Sequence, residues 1–210
     1  MKFINDKTTI VIAGKWNRFL LSPQWVGTNL YEVDTINVEF ASTMDAPPRY
    51  LKENKIFQVT PNHAFGIATN PTQDQNLIDV ENIMDRLVTL LTYTPVFGLG
   101  INFSFELNVD ESERIHAAFA LTDSEKYTEE GLILNKTIVS RSFTSGDDNI
   151  TINLADSEKT ELKINFHFDL TTCKTISEYL DGTKFLEKRN KAQELINNLY
   201  QIELENEQED

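Results

Sequence analysis

The sequence predicts an α+β domain in which long amphipathic helices pack on one face of a mainly antiparallel sheet. A helical pattern at 75–94 is followed by a strand pattern at 101–109, and a second strand pattern occurs at 162–170. Both strand patterns alternate apolar and polar residues, which indicates one buried face and one solvated face. This alternation favours antiparallel pairing, because parallel strands are usually buried on both faces.

The helix at 75–94 has one wide apolar face. At 100° per residue, its apolar side chains fall on an arc of roughly 160°. They are Leu77, Val80, Ile83, Met84, Leu87, Val88, Leu90 and Leu91. Thr72 and Gln75 have the spacing of a capping box at the start of this helix. We expect the helix to cover both strand patterns and to bury Phe103 and Phe166.

The remaining elements follow from the same two periodicities. Before the helix, the sequence predicts strands at 8–13, 36–40, 55–59 and 64–68. After it, the sequence predicts a helix introduced by Asp110 and Glu113, strands at 132–143, 150–154 and 162–170, a helix introduced by Thr175 and Glu178, and a final helix at 183–200. Each half therefore places strands and a hairpin before a long helix, a loose two-fold order. Asp147 and Asp148 are expected to be solvated turn charges.

We interpret residues 1–202 as one α+β domain and residues 203–210 as an acidic tail. The chain has 210 residues, of which 40% are hydrophobic, so it can bury a sizeable core. The alternative division is two fused halves, about 1–95 and 96–202. The tail is inferred because its carboxylates would oppose the helix dipole at the end of the last helix.

The net charge of −14 disfavours polyanionic partners. The charge is unevenly spread, with −2 on residues 1–105 and −12 on residues 106–210. Such an excess repels phosphate backbones and anionic lipids. We therefore expect no nucleic-acid partner and no membrane partner. The strongest local exception is the basic cluster Lys184, Lys188, Arg189 and Lys191.

Cysteine usage and the N-terminal sequence favour a cytoplasmic protein. Cys173 is the only cysteine, so no intrachain disulfide can form, and we interpret it as an incidental thiol beside Lys174. Met1 to Asp6 lack the apolar region of a signal peptide, and no apolar run approaches the length of a membrane span.

The sequence contains no motif for a metal or a cofactor. His63, His116 and His167 are the only histidines, and they are predicted on a turn, a helix and a strand without ligand spacing. Gly98 and Gly100 lack the third glycine and the following helix that a dinucleotide site requires. We therefore expect that the protein needs no metal and no cofactor.

One polar strand face is a candidate catalytic site. His167 and Asp169 alternate with the apolar residues of their strand, and Glu106 lies on the polar side of the earlier strand. If the two strands are neighbours, a carboxylate-oriented imidazole could act as a general base. The alternative, which we favour, is a solvated sheet face.

Residues 14–31 hold more large apolar side chains than regular elements require. Trp16, Arg18, Phe19 and Trp25 form a candidate partner-binding surface, because Trp, Tyr and Arg dominate interface hot spots. The alternative is a loop that folds over the sheet and closes the core, because large aromatic residues are normally buried. We expect Trp16 to be largely buried and Trp25 to be partly exposed.

Two short motifs stand in the first half of the chain. One is Gly14-Lys15-Trp16-Asn17 with Ser22-Pro23-Gln24-Trp25, and the other is Thr94-Pro95-Val96 running into Gly98, Gly100, Ile101, Asn102 and Phe103. With the order of elements between them, they resemble conserved hypothetical proteins of bacteria and their mobile elements. The resemblance implies that residues 14–25 are an integral part of the domain. It implies no particular activity and supplies no catalytic residues.

The sequence therefore favours a cytosolic, non-enzymatic interaction or regulatory subunit that binds a protein partner or further copies of itself. The first alternative is an enzyme with a site around His167, Asp169 and Glu106. The second is an acidic mimic of nucleic acid that occupies the groove of a basic protein. The mimic would require the acidic half to present its carboxylates in a rigid stripe.

Overall fold

The computed structural model describes residues 1–40, 47–119, 135–156 and 158–205. Within these ranges, ten strands form one sheet and five α-helices accompany it, which confirms the predicted α+β class. The strands are β1 Lys2–Phe3, β2 Thr9–Gly14, β3 Asn37–Glu39, β4 Arg49–Lys52, β5 Lys55–Val59, β6 His63–Ala68, β7 Val96–Glu106, β8 Thr137–Ser145, β9 Asp148–Asp156 and β10 Thr160–Phe168. The helices are α1 Pro23–Val26, α2 Asp74–Leu90, α3 Val109–Phe119, α4 Cys173–Tyr179 and α5 Lys184–Tyr200.

The sheet has a two-fold order about its central pair of strands. Its strands run β3-β4-β5-β6-β2-β7-β10-β9-β8, with β1 also paired to β7, and the paired strands are antiparallel. In each half the first strand lies beside the last strand of a meander, as β2 lies beside β6 and β7 beside β10. The alternative division near residue 95 falls between α2 and β7. The two halves are joined in the sheet by the pairing of β2 with β7.

Each half supplies the long helix that covers its own strands. Helix α2 contacts β2, β5 and β6, whereas α5 contacts β7 and also packs on α2. The strand at 101–109 therefore packs against α5, a helix that the expectation for the helix at 75–94 did not include. Phe103 and Phe166 are fully buried as expected, and the Phe103 ring lies 5.5 Å from the ring of Phe185 in α5.

The start of α2 differs from the predicted capping box. Gln73 occupies the N-cap position and makes no side-chain capping bond. The Thr72 hydroxyl donates to Asn70 Oδ1 at 2.6 Å, and Gln75 donates to Asp79 at 2.7 Å. The helix also ends at Leu90, four residues earlier than predicted.

The caps of α3 and α4 lie close to the predicted positions but use other residues. Asn108 Oδ1 accepts from the Glu111 backbone N–H at 3.0 Å, and Glu111 Oε2 accepts from the Asn108 N–H at 2.9 Å. Helix α3 therefore begins at Val109, which is exposed and does not extend the apolar strand face. A reciprocal pair of Thr172 and Thr175 starts α4 in the same way. Several residues satisfy the spacing of a capping box, so spacing alone does not choose between them.

Glu81 is buried on the core side of α2. Its carboxylate accepts hydrogen bonds from the backbone N–H groups of Gly182 at 2.8 Å and Phe185 at 2.7 Å. Burial raises the pKa of Glu81, while these backbone donors oppose the shift. The side chain thus satisfies N–H groups at the start of α5, which have no partner within their own helix. It fixes the two long helices to each other.

The first residues of the predicted tail lie against β1. Ile202, just before the predicted tail, is buried, and the Glu205 N–H within the tail donates to the Met1 carbonyl at 3.0 Å. The Lys2 ammonium lies 3.3 Å from Glu205 Oε2. Residues 206–210 lie outside the described part of the chain, as does the start of the strand predicted at 132–143. No helix within the described ranges is both long and apolar enough to span a bilayer.

Candidate interaction surface

Trp16 anchors the segment that follows β2 in the core. Its indole N–H donates to the Ile12 carbonyl at 3.0 Å, and its side chain is only 4% exposed. The Trp16 backbone N–H donates to the Pro61 carbonyl at 2.9 Å, and the Lys15 N–H donates to the Pro95 carbonyl at 2.8 Å. The end of β2, the β5–β6 turn and the start of β7 therefore meet at one end of the sheet.

A short 3₁₀ turn, Arg18–Leu20, projects from this anchor into solvent. Asn17 Oδ1 caps the turn by accepting from the Phe19 N–H at 3.2 Å. Phe19 is 85% exposed and Leu20 is 53% exposed, whereas the next residue, Leu21, is buried. The Arg18 guanidinium lies 5.5 Å from the centre of the Phe19 ring. The turn thus presents an apolar and cationic pair to solvent.

The rest of the segment returns to the core. The Ser22 hydroxyl accepts from the Trp25 N–H at 3.2 Å, and Pro23 begins α1. A π-helical turn follows at Gly27–Tyr31, and it buries Leu30 and Tyr31. Trp25 is half-buried, as expected. The segment therefore combines the two sequence interpretations, because Trp16 and Tyr31 close the core while Arg18 and Phe19 remain accessible.

The start of β7 adds exposed aromatic side chains that the sequence interpretation did not include. Ala13 pairs with Gly98 and Gly14 pairs with Val96, so Phe97 is an extra residue in the ladder. Such a bulge can redirect a side chain, and Phe97 is 54% exposed. Tyr93, in the turn before the strand, is 99% exposed. The sequence feature that could have indicated this irregular start of β7 is the presence of Pro95 before Phe97 and Gly98 after it.

We call Arg18, Phe19, Leu20, Tyr93 and Phe97 the end surface. Three of the segments at this end of the sheet, 14–31, 59–72 and 89–105, contain no aspartate or glutamate, although the chain has 33 acidic residues. Asp169 lies at the same end, because it follows Phe168 of β10, which pairs with Leu99 of β7. The end surface itself is apolar and carries one cation, Arg18, in a strongly acidic protein.

The structure keeps His167 and Asp169 together but places Glu106 elsewhere. His167 Nε2 lies 3.1 Å from Asp169 Oδ1, and both side chains are exposed. His167 pairs with Gly100 of β7, whereas Glu106 pairs with Glu161, six positions away along β10. At about 3.3 Å per residue, this places Glu106 roughly 20 Å from His167. The Glu106 carboxylate instead binds Lys159 at 2.8 Å.

The uncovered face of the sheet carries a row of uncharged polar side chains. Asn165 donates to Asn102 Oδ1 at 2.9 Å, and Asn102 donates to the Thr9 hydroxyl at 3.1 Å. Asn102 and Ser104 are buried, although the sequence placed them on a solvated face. Thr9 and Asn165 on the neighbouring strands bond to Asn102, and both buried residues line a groove of about 550 Å³. The row offers hydrogen-bonding groups but no paired nucleophile and base.

Acidic partners neutralise the basic cluster at the start of α5. Lys188 and Lys191 both bind Asp148, at 2.7 Å each. Lys184 binds Asp181 and Glu187, and Arg189 binds Asp74. The cluster is therefore paired internally instead of forming a free cationic patch. Asp148 is 5% exposed, which corrects its prediction as a solvated turn charge.

We expect Asp148→Asn to lower the free energy of unfolding at pH 7 by about 1–3 kcal/mol, the range for hydrogen bonds to charged groups. Burial opposes ionisation of Asp148, but the bonds from Lys188 and Lys191 outweigh burial and lower its pKa. The pair therefore stabilises the fold above the unfolded-state pKa of about 3.9 and is lost as pH falls through the lower folded-state pKa. Urea unfolding should show the wild-type advantage shrinking below about pH 4. Asp147→Asn, at the exposed neighbouring position, should match wild type throughout.

Cys173 is a buried structural thiol. It donates to the carbonyls of Leu91 at 3.5 Å and Thr94 at 3.4 Å, just beyond the end of α2. Burial raises the pKa of Cys173 and so disfavours the thiolate. Within the described ranges, no group of three or more His, Cys, Asp or Glu side chains is arranged to hold a metal ion.

No protein-family model matches this chain, and a comparison with the curated proteins finds no relative. Function therefore has to be inferred from the residues and their geometry.

Proposed function

We propose that this protein is a cytosolic, non-enzymatic interaction subunit that binds another protein through the end surface. The observation that carries the proposal is the exposure of three aromatic side chains, Phe19, Tyr93 and Phe97, from segments joined at one end of the sheet. Exposed aromatic residues, one of them here beside an arginine, are typical of interface hot spots. Large exposed apolar patches are uncommon on monomeric soluble proteins unless they are functional.

The charge of the end surface specifies the chemistry of its partner. Arg18 and the nearby Lys15 are cationic, and the three segments around them lack carboxylates. The best complement is a protein segment with apolar side chains at its centre and carboxylates at its rim, because opposite potentials attract across an interface. Trp16 contributes by holding the Arg18–Leu20 turn in place from the core.

The cytosolic location and the non-enzymatic class rest on separate observations. Cys173 is a single buried thiol, which fits a reducing compartment. The candidate catalytic group lacks Glu106. Asp169 instead lines a groove with Asp148 and Glu187, and both of these carboxylates are already paired with lysines. The acidic-mimic alternative is disfavoured because many carboxylates of the C-terminal half pair with cations. These carboxylates include Glu106, Asp148, Glu161, Asp181 and Glu187.

We expect Phe19→Ala and Tyr93→Ala to weaken partner binding without affecting folding. Truncation of a hot-spot residue costs about 2 kcal/mol or more of binding free energy, which is about a 30-fold increase in Kd. Both side chains are exposed, so the free energy of unfolding should change by less than about 0.5 kcal/mol. The measurements are affinity purification from the native cell, Kd determination with the purified partner, and urea unfolding of each variant.

Phe40→Ala is the matched control, because Phe40 is 74% exposed but follows the edge strand β3, which lies four strands away from β2. It should retain the wild-type Kd. Unchanged binding by the Phe19 and Tyr93 variants would reject the end surface as the docking site. If His167→Ala abolishes cellular function while folding and association persist, the enzyme alternative replaces the interaction subunit.

A further inference from the structure

Strand β8 leaves a nine-residue edge at one side of the sheet. It pairs with β9 over its whole length without a register shift, and no described segment pairs with its outer side. Ile138 and Phe143 are 63% and 45% exposed on this strand. A long edge strand presents unpaired N–H and C=O groups, which can hydrogen-bond to another strand.

The two edges of the sheet differ in their protection against such pairing. Strand β3, at the opposite edge, has only three residues and carries Glu39, which pairs with Arg49 of β4. Strand β8 contains no proline, lysine, glycine or carboxylate, and its only charged residue is Arg141. Protected edges use short length, proline, a bulge or charged side chains, most often lysine. Strand β8 has only one of these devices, the single charge of Arg141.

The charge of β8 favours a second copy of this chain as its occupant. Two copies of a protein with a net charge of −14 repel each other over most of their surfaces. On β8 the chain has no acidic residue, so two copies can approach along this strand without opposing carboxylates. A closed dimer also needs a self-complementary strand, because each residue pair occurs twice about the two-fold axis.

Symmetry limits the ways in which two β8 strands can pair. In an antiparallel pair, side chains directly opposite each other lie on the same face of the sheet. In a symmetric dimer of identical strands, one residue therefore has to lie opposite its own copy. The two-fold axis passes midway between these two residues. Centring on Arg141 would place the two guanidinium groups opposite each other, which is destabilising. Centring on Ser140 would place Arg141 against Val139. Centring on Ser142 places Arg141 against Phe143 of the partner subunit, and it does so twice.

We propose that the protein forms a symmetric homodimer in which two β8 strands pair antiparallel about Ser142 and join the sheets of both copies. Arg141 already lies over an aromatic ring, with its guanidinium carbon 4.2 Å from the centre of Phe119. It lies on the helix-bearing face together with Phe143, because both pair with core residues of β9, Ile152 and Ile150. In the dimer each arginine gains Phe143 of the partner subunit as a second aromatic contact. Ser140 pairs with Thr144 of the partner subunit on the opposite face.

Single cysteine substitutions measure both the dimer and its register. In the proposed register Ser142 faces Ser142 of the partner subunit, with about 4.5–5.5 Å between Cα atoms. This separation is suitable for a disulfide. Under mild oxidation, Ser142→Cys should form a disulfide-linked dimer. Ser140→Cys and Arg141→Cys should remain largely without an intermolecular disulfide and run as monomers on a non-reducing gel. Wild type is the control for Cys173, which is buried.

Light scattering of the uncrosslinked protein provides the second measurement. Wild type should have twice the monomer mass of 24.1 kDa. Phe143→Asp should be monomeric, because it removes the aromatic contact and places a new charge beside the edge. Phe40→Asp, at the other edge, should remain dimeric. Phe19→Ala should also remain dimeric, since the end surface is a separate site.

Three results would overturn the dimer or its register. They are a wild-type monomer at about 100 μM, within the μM–mM range in which unpaired strand edges associate, preferential crosslinking through position 140 or 141, and a dimer that persists in Phe143→Asp. An edge occupied by another part of the chain, or by a different protein, would appear as a Ser142→Cys variant that does not crosslink.

Discussion

Replacing Leu87 with aspartate should prevent the protein from folding. Leu87 is fully buried in α2, within the core between that helix and the sheet. Loss of a buried leucine side chain costs about 2–5 kcal/mol, and an unpaired buried carboxylate costs several kcal/mol more. This total is comparable to the whole stability of a domain, about 5–15 kcal/mol. Circular dichroism and urea unfolding at 25 °C should show no cooperative transition.

Leu90→Asp is the matched control for this substitution. Leu90 is the last residue of the same helix, and it is 50% exposed. An aspartate there can remain hydrated, although it opposes the helix dipole by about 0.3–1 kcal/mol. The variant should fold cooperatively with a small loss of stability. A cooperatively folded Leu87→Asp protein would show that α2 is not essential to the core.

Glu81→Ala should lower the free energy of unfolding by about 1–3 kcal/mol. The substitution leaves the buried N–H group of Phe185 without its acceptor, which costs about 1–3 kcal/mol, whereas water can reach the partly exposed Gly182. It also removes the link between α2 and the start of α5. Urea unfolding monitored by circular dichroism should report a lower midpoint with an unchanged slope.

Glu81→Gln tests whether the acceptor oxygens cause this effect. Glutamine keeps one oxygen of similar geometry and replaces the other with a donor, so its loss should lie between those of wild type and Glu81→Ala. Asn82→Ala, at the adjacent exposed position, should change stability by less than about 0.5 kcal/mol. Equal stability of Glu81→Ala and wild type would contradict the assigned role of the carboxylate.

The hydrophobic periodicities were sufficient to predict the class of fold and most elements. The period of two at 101–109 and 162–170 corresponds to β7 and β10, which pair directly. The hairpin predicted at 55–59 and 64–68 is present as β5 and β6. Periodicity is reliable here because each apolar stripe has to be buried, whichever element covers it.

The exact helix ends could not be read from the sequence. Asp110 and Glu113 satisfy the spacing of a capping box, but so do Asn108 and Glu111, which form it. The choice depends on where β7 ends and how the chain leaves the sheet. Long-range pairing decides that point, and local spacing does not contain it.

The candidate partner-binding residues differ in their solvent exposure, and only the tertiary packing shows which are buried. Trp16 and Phe19 lie three residues apart and have similar hydrophobicity, yet one is buried and the other is 85% exposed. The difference arises because the Trp16 indole reaches the Ile12 carbonyl, while the capped turn at Arg18–Leu20 faces outward. Phe97 joins them through a bulge whose register depends on β2.

Local sequence determined which residues avoid water and with what period, and therefore the α+β class and the positions of the helices and strands. The tertiary structure decided which helix covers which strands, and which charges are paired. Asp148 and Glu81 show the reason, since their partners lie 40 to 104 residues away in sequence. Hydrogen bonds and ion pairs depend on distances of about 3 Å, and only the folded chain brings such distant residues that close.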